Sequence, residues 1–218
     1  MKKYVSTMLV ILLLTVTIFS CKKSNGPKDY NASIKDKTWW GEFAYTGQDA
    51  EYYSVHFNVD NSLTWTQWSG DYPGQWTLNG KQLTITFTGN SVEINADISD
   101  DDKLMNISDN TANSEINSGQ LIVNPKISLD NTVWKVSDFS QAVPLGPDYQ
   151  MSFLPGSIVR FKFPSFDYRQ EQYARSASGA VIRTTTVGVI GHFGIIVSDK
   201  EMNGNIPGSN ARWQAVKQ

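Results

Sequence analysis

The chain is predicted to be all-β: two small antiparallel meander barrels in tandem behind a short N-terminal export segment. Three observations predict it. From residue 38 onward, apolar residues alternate with polar ones at period two, and turn residues separate the runs. The order of motifs in residues 34–126 recurs in residues 127–218, as in a duplicated unit. Each half offers about eight short strands, and an antiparallel meander of that size can close on itself and leave no edge exposed. The alternative is one larger barrel or sandwich built from both halves.

Composition supports a packed fold. Of 218 residues, 40 % are hydrophobic and 12 % aromatic, enough for a core. The single cysteine excludes an internal disulfide, so packing has to supply the stability. A formal net charge of −2 argues against nucleic acid or another polyanion as partner. The charge is unevenly spread. Residues 31–126 hold 5 Lys against 13 Asp and Glu, a net of −8, whereas residues 127–218 hold 9 basic and 7 acidic residues, a net of +2.

Residues 1–20 read as a signal peptide. Lys2 and Lys3 precede the apolar run Met8–Phe19, which is too short to span a bilayer. Ile18-Phe19-Ser20-Cys21 resembles the lipobox of bacterial lipoproteins: an aliphatic residue at −3, a small one at −1 and Cys at +1. The resemblance implies cleavage before Cys21, lipidation of Cys21 and a membrane anchor with more than one acyl chain. An ordinary signal peptide with a cysteine near the cut is the other reading, but it leaves a lone thiol in an exported chain. Lys22 follows Cys21 where an inner-membrane retention signal would have Asp, so the expected location is the outer membrane, on either face. Residues 21–33 form the lipidated tether. Lys22 to Asp29 is polar around Gly26-Pro27 and is expected to be flexible.

Residues 34–126 form the first barrel. Tyr53, Val55, Phe57 and Val59 alternate with polar residues, Asp60-Asn61 turns the chain, and Leu63 and Trp65 resume the alternation. Trp76 and Leu78 lead to Asn79-Gly80, which is expected to form a type I′ hairpin turn. Leu83, Ile85 and Phe87 follow, then Val92, Ile94, Ala96 and Ile98, then Leu104–Ile107 and Gln120–Val123. The seam is Asn124-Pro125-Lys126.

Residues 127–218 repeat this order. Lys37-Thr38-Trp39-Trp40 aligns with Asn131-Thr132-Val133-Trp134, and Tyr52–Phe57 with Tyr149–Phe153. Leu63-Thr64-Trp65 matches the strand ending in Phe161 beyond Pro155-Gly156, and the turn at Asp100–Asp102 matches Asp199-Lys200-Glu201. Residues 163–178 have no counterpart and are expected to be a loop or lid.

Trp134, together with Met202-Asn203-Gly204 through Arg212-Trp213-Gln214, resembles the small lipocalin-like domains of bacterial lipoproteins. The first half resembles them less: Met105-Asn106-Ile107 lacks the glycine, its closing strand has no tryptophan, and Gly41 follows Trp40 where lipocalins carry Gly-x-Trp. The resemblance implies β-barrels with a binding role.

Catalytic material is sparse. His56 and His192 have no Ser/His/Asp context, so no enzyme and no cofactor are expected, and each histidine reads as an outward or barrel-lining residue. Asp97, Asp100, Asp101 and Asp102 gather at one turn. They lack the alternation, glycine and distal Glu of a calcium loop, so a solvated turn is expected and no metal. Trp39, Trp65 and Trp76 read as core. Trp68 falls three residues after the inward Trp65 and therefore points outward. Trp40, Trp68 and Tyr72 are the candidate ligand contacts, placed to stack on a sugar or cover an apolar molecule. The expected function is non-catalytic: a lipid-anchored envelope protein binding a small apolar or glycan ligand or an envelope protein partner. The alternative is a structural or assembly protein with no small ligand.

Overall fold

The computed structural model describes residues 27–111, 114–122, 127–138, 148–164, 166–184, 191–207 and 211–218. The signal segment, Cys21 and the seam Asn124-Pro125-Lys126 lie outside the described residues.

The described chain forms two β-barrels. The first is built from β1 (Lys37–Tyr45), β2 (Glu51–Phe57), β3 (Ser62–Gln67), β4 (Gly70–Asn79), β5 (Gln82–Phe87), β6 (Glu93–Ile98), β7 (Leu104–Asp109), β8 (Ser114–Ile116) and β9 (Gln120–Leu121). Its strands run in the order β7-β6-β5-β4-β3-β2-β1-β8, with β9 also on β1, and the barrel is nearly closed. The second comprises β10 (Thr132–Asp138), β11 (Asp148–Leu154), β12 (Ile158–Phe163), β13 (Phe166–Arg175), β14 (Val181–Thr184), β15 (Phe193–Ile196), β16 (Glu201–Ile206) and β17 (Ala211–Lys217), a closed eight-strand meander. The two tandem barrels anticipated from the periodicity are both present.

Alternation explains both cores. In the first, Trp39, Tyr53, Phe57, Leu63, Trp65 and Trp76 all point inward and are buried. Tyr53 and Trp65 stack at 3.8 Å with their planes 7° apart. In the second, Trp134, Phe153, Phe161 and Trp213 fill the interior. Such aromatic burial contributes about 1.5–3 kcal/mol per large side chain.

The lower end of the first barrel is capped. Helix α1 (Tyr30–Ile34) begins at Asp29, whose side chain accepts from the Asn31 N–H at 3.0 Å, and Ile34 plugs the barrel. Trp39 Nε1 donates to the Ser33 carbonyl at 2.9 Å. Lys28 Nζ donates to the carbonyls of Ser99 and Asp100, both at 2.9 Å, and meets Asp102 at 2.6 Å. The end of the expected flexible tether is therefore part of the fold. Ile34 supplies apolar burial and Lys28 a charged hydrogen-bonding group, both of which the polar composition of the preceding residues concealed.

Other expectations are corrected. β2 ends at Phe57, and Val59 is exposed in the turn. Asn79 pairs with Gln82, so the hairpin turn is Gly80-Lys81. Only Gly80 has positive φ (61°), which is the type II′ pattern rather than type I′. Residues 166–175 are not a loop: they form β13, the counterpart of β4. Arg169 and Glu171 occupy its inward positions and conceal the alternation. They are ion-paired, with the Arg169 guanidinium 5.2 Å from the Phe161 ring centroid. The repeat alignment also shifts by one at the first strand. Trp39 pairs with Val55 as Trp134 pairs with Met151, so Trp39 and not Trp40 is the counterpart of Trp134. A one-residue slip exchanges the two faces of a strand, so Trp40 faces outward.

That outward face meets the second barrel. Tyr52, Ile122, Ala180, Val181, Phe193 and Ile195 form an apolar cluster between the barrels, with Trp40 and Trp68 packed against it. Arg212 pairs with Glu42 and donates to the Tyr52 hydroxyl at 2.7 Å.

Candidate ligand-binding site

The upper end of the first barrel holds a cavity of about 290 Å³. β3 points Leu63, Trp65 and Gln67 inward in succession: Leu63 and Trp65 belong to the core, and Gln67 reaches the cavity. Phe43, Trp65, Phe87, Val92, Ile94 and Ile116 form apolar walls, and Tyr45, Gln67, Tyr72, Asn90, Asp109, Thr111 and Ser114 supply the polar groups. Buried Gln67 is saturated by neighbours. Its Oε1 accepts from Trp65 Nε1 at 3.1 Å, and its Nε2 donates to Ser69 Oγ at 2.8 Å and to the Tyr45 hydroxyl at 3.3 Å. Ser69 Oγ lies 2.9 Å from the Tyr72 hydroxyl and extends the chain of hydrogen bonds along the rim. Such a satisfied network fixes the rim in one arrangement.

The register explains why the upper end of this barrel is open at a place that its sister fills. Lys37 pairs with Phe57 as Thr132 pairs with Phe153, which places Phe43 in the position of Asp138. On their other side, Phe43 pairs with Ile116, and Asp138 with Trp213. Ile116 thus stands where the second barrel has a fully buried indole. Gly194 and Gly204 make room for that indole, because a Cβ on either would overlap the Trp213 ring. The tryptophan missing from the first half's closing strand leaves space in the barrel.

The closing strand is also interrupted. Gly41 lies beneath Ser118, whose carbonyl a Cβ at position 41 would strike, and Tyr53 donates its hydroxyl to that carbonyl at 2.7 Å. Burial pushes the Tyr53 phenol above its ordinary pKa. Below the break, Lys103, the residue before β7, bridges to Gln120 of β9. Above it, β7 and β8 are not paired. An outer groove of about 590 Å³ there shares Tyr45, Asp109, Thr111, Ser114 and Ile116 with the cavity, so the chamber borders a gap in the barrel wall.

Tyr72 is the one sequence-derived contact that lines the chamber. Trp40 and Trp68 lie instead on the seam between barrels. Trp40 sits 5.7 Å from Tyr52, and Trp68 packs so closely on Gly191 that a Cβ there would overlap its ring. Trp68 does point outward, but the second barrel covers it. The hairpin that carries Trp68 is also held by Arg183, which donates to the Gln67 carbonyl (3.1 and 2.7 Å), the Gly70 carbonyl (2.9 Å) and Asp71 (2.6 Å). Gln67, Asp109 and Ile116 were missed in the sequence, although Gln67 carries a signal: a polar residue at an inward position of β3.

The acidic turn of the first barrel is engaged within the fold. Asp97 meets Lys81 at 3.1 Å, and Tyr30 donates its hydroxyl to Asp100 at 2.9 Å. Lys103 and Ser99 hydrogen-bond Asp101 and hold its carboxyl down at about 2. Among the described residues, no group of three or more His, Cys, Asp or Glu is placed to hold a metal ion, and no helix is long and apolar enough to cross a membrane. His56 faces outward, with Nδ1 3.0 Å from Thr38 Oγ1. His192 is buried in the second barrel, with Nε2 3.0 Å from the Tyr149 hydroxyl. Glu51 pairs with Phe43 and so lies at the chamber end of β2; burial raises its carboxyl above the ordinary value.

No family model, no curated protein and no solved structure matches the chain.

Proposed function

We propose that this chain is a non-catalytic, lipid-anchored envelope lipoprotein whose first barrel binds a small, largely apolar molecule. The observation that carries this reading is the chamber, hollow where the sister barrel is filled by Trp213. Its 290 Å³ lies at the lower edge of small-molecule sites, which run to about 300–1,000 Å³ with apolar walls and a few placed polar groups. The aromatic and aliphatic walls favour an apolar ligand over a glycan. The second barrel serves as the structural partner: its core is packed, and Arg183 holds the hairpin that presents Gln67, Ser69 and Tyr72. The Ile18-Phe19-Ser20-Cys21 lipobox pattern supports an anchor at Cys21, and Lys22 supports an outer-membrane location. The resemblance of Met202–Trp213 to lipocalin-like lipoprotein domains agrees with a binding role.

The test is titration with N-phenyl-1-naphthylamine, a neutral probe that fluoresces in apolar surroundings. The wild type should bind it saturably. Ile116→Trp copies the plug of the second barrel and should abolish binding while circular dichroism stays unchanged. Undiminished binding in that variant would exclude the chamber as the site. For the anchor, Cys21→Ala should leave the protein uncut or released from membranes; a processed, acylated Cys21→Ala product would exclude it.

A further inference from the structure

We infer that the chamber selects a molecule with a cationic head, such as a primary ammonium, on an aromatic or aliphatic body, and discriminates against carboxylate-headed lipids. This rests on the reading that the chamber takes a ligand. Asp109 is the only Asp, Glu, Lys or Arg among the described residues lining the chamber. Its orientation follows from the register: Asp109 pairs with Ile94, a buried wall residue, so the two share the inner face. The carboxylate is held in place. Asp109 Oδ1 accepts from the Thr111 N–H at 2.9 Å and from Thr111 Oγ1 at 2.6 Å, and Thr111 Oγ1 lies 2.7 Å from Ser114 Oγ. Both bonds to Asp109 converge on Oδ1, which leaves the acceptor capacity of Oδ2 for a ligand.

A half-buried carboxylate beside an apolar chamber is costly without a cation. Two arginines of the second barrel that reach the first are committed elsewhere, Arg183 to Asp71 and Arg212 to Glu42. A ligand ammonium would supply the missing charge and would find the aromatic rings of Trp65, Tyr45 and Tyr72 lining the same chamber. Glu51 at the same end, and the net of −8 over residues 31–126, add a field that draws cations toward the mouth. A fatty carboxylate would meet a like charge and no cation in the chamber lining.

The experiment compares three probes with one naphthalene body by isothermal titration calorimetry: 2-(1-naphthyl)ethylammonium, 2-(1-naphthyl)ethanol and 1-naphthylacetate. The wild type should bind the ammonium about tenfold tighter than the alcohol, as one charge-assisted hydrogen bond allows, and the carboxylate most weakly. Asp109→Asn keeps the side-chain size and the Oδ1 acceptor. It should bring the ammonium within about twofold of the alcohol and leave the alcohol unchanged, while Glu51→Gln keeps the preference. The wild-type comparison stands even if a variant fails to fold. An alcohol that binds as tightly as the ammonium, a carboxylate that binds tightest, or a preference lost in Glu51→Gln but kept in Asp109→Asn would overturn the inference and leave the chamber standing. Failure of all three probes together with N-phenyl-1-naphthylamine would overturn the binding reading itself.

Discussion

Trp68→Ala removes an indole that belongs to the first barrel by chain and to the second by contact. The ring packs on Gly191 and on the cluster that includes Phe193, Ile195 and Val181. A partly buried tryptophan in such a place covers about 150 Å², and about 25 cal/mol per Å² gives about 4 kcal/mol for that area. Alanine retains part of that burial and the seam relaxes, so the expected loss is about 2–3 kcal/mol. The assay is urea unfolding of the chain from Lys22 onward, with Val59→Ala as an exposed control. Because the contact lies between barrels, Trp68→Ala and Phe193→Ala should not be additive; a coupling of about 0.5–3 kcal/mol is expected between packed neighbours. A loss within about 0.5 kcal/mol, the range of an ordinary surface change, would mean that the indole stands in water and that the barrels are not packed at this seam.

Arg183→Ala strips the hairpin of its bonds to Gln67, Gly70 and Asp71 and should cost about 2 kcal/mol in the same assay. It should also weaken probe binding through Gln67, and Arg183→Lys should restore neither, since an ammonium cannot reproduce the guanidinium fork. Gly204→Ala drives a methyl against Trp213 and the Phe193 carbonyl and should cost about 3 kcal/mol or prevent folding. Trp213→Leu in that background should recover part of the loss, measured by thermal unfolding. Glu51 has a folded-state carboxyl raised above its ordinary 4.5 by burial. Its contribution to stability is therefore fully present below that value and lost as pH rises through the raised one. Relative to wild type, Glu51→Gln should gain stability between pH 4 and pH 7; a gain in the opposite direction, read from urea midpoints at the two pH values, would contradict the burial of this group.

The two-barrel class was legible because period-two alternation is a local property of the chain, and Leu63, Trp65, Leu83, Ile85, Ile94 and Ile98 announce their faces without reference to any neighbour. The turns at Asp60-Asn61 and Pro155-Gly156 were legible for the same reason: their backbone preferences are carried by single residues, with positive φ at Asn61 (67°) and Gly156 (84°). β13 was not legible, because Arg169 and Glu171 point inward and are made tolerable there by each other and by the rings of Phe161 and Phe163. Trp40 and Trp68 could be placed on an outer face but not in their surroundings, since much of their cover comes from Ala180, Val181, Phe193 and Ile195 of the second barrel, more than a hundred positions away. The chamber lies furthest from the sequence. It depends on pairing Phe43 with Ile116 and Asp138 with Trp213, and on Ser118 crossing Gly41 so that β7 and β8 part above it. The sequence by itself determined most of the strands, their inward faces and the tandem organisation, because each is written in residues close along the chain. Tertiary structure alone decided which barrel is hollow, which surfaces are covered and where Asp109 points, because a void and its lining are set by strands that meet only once the barrel has closed.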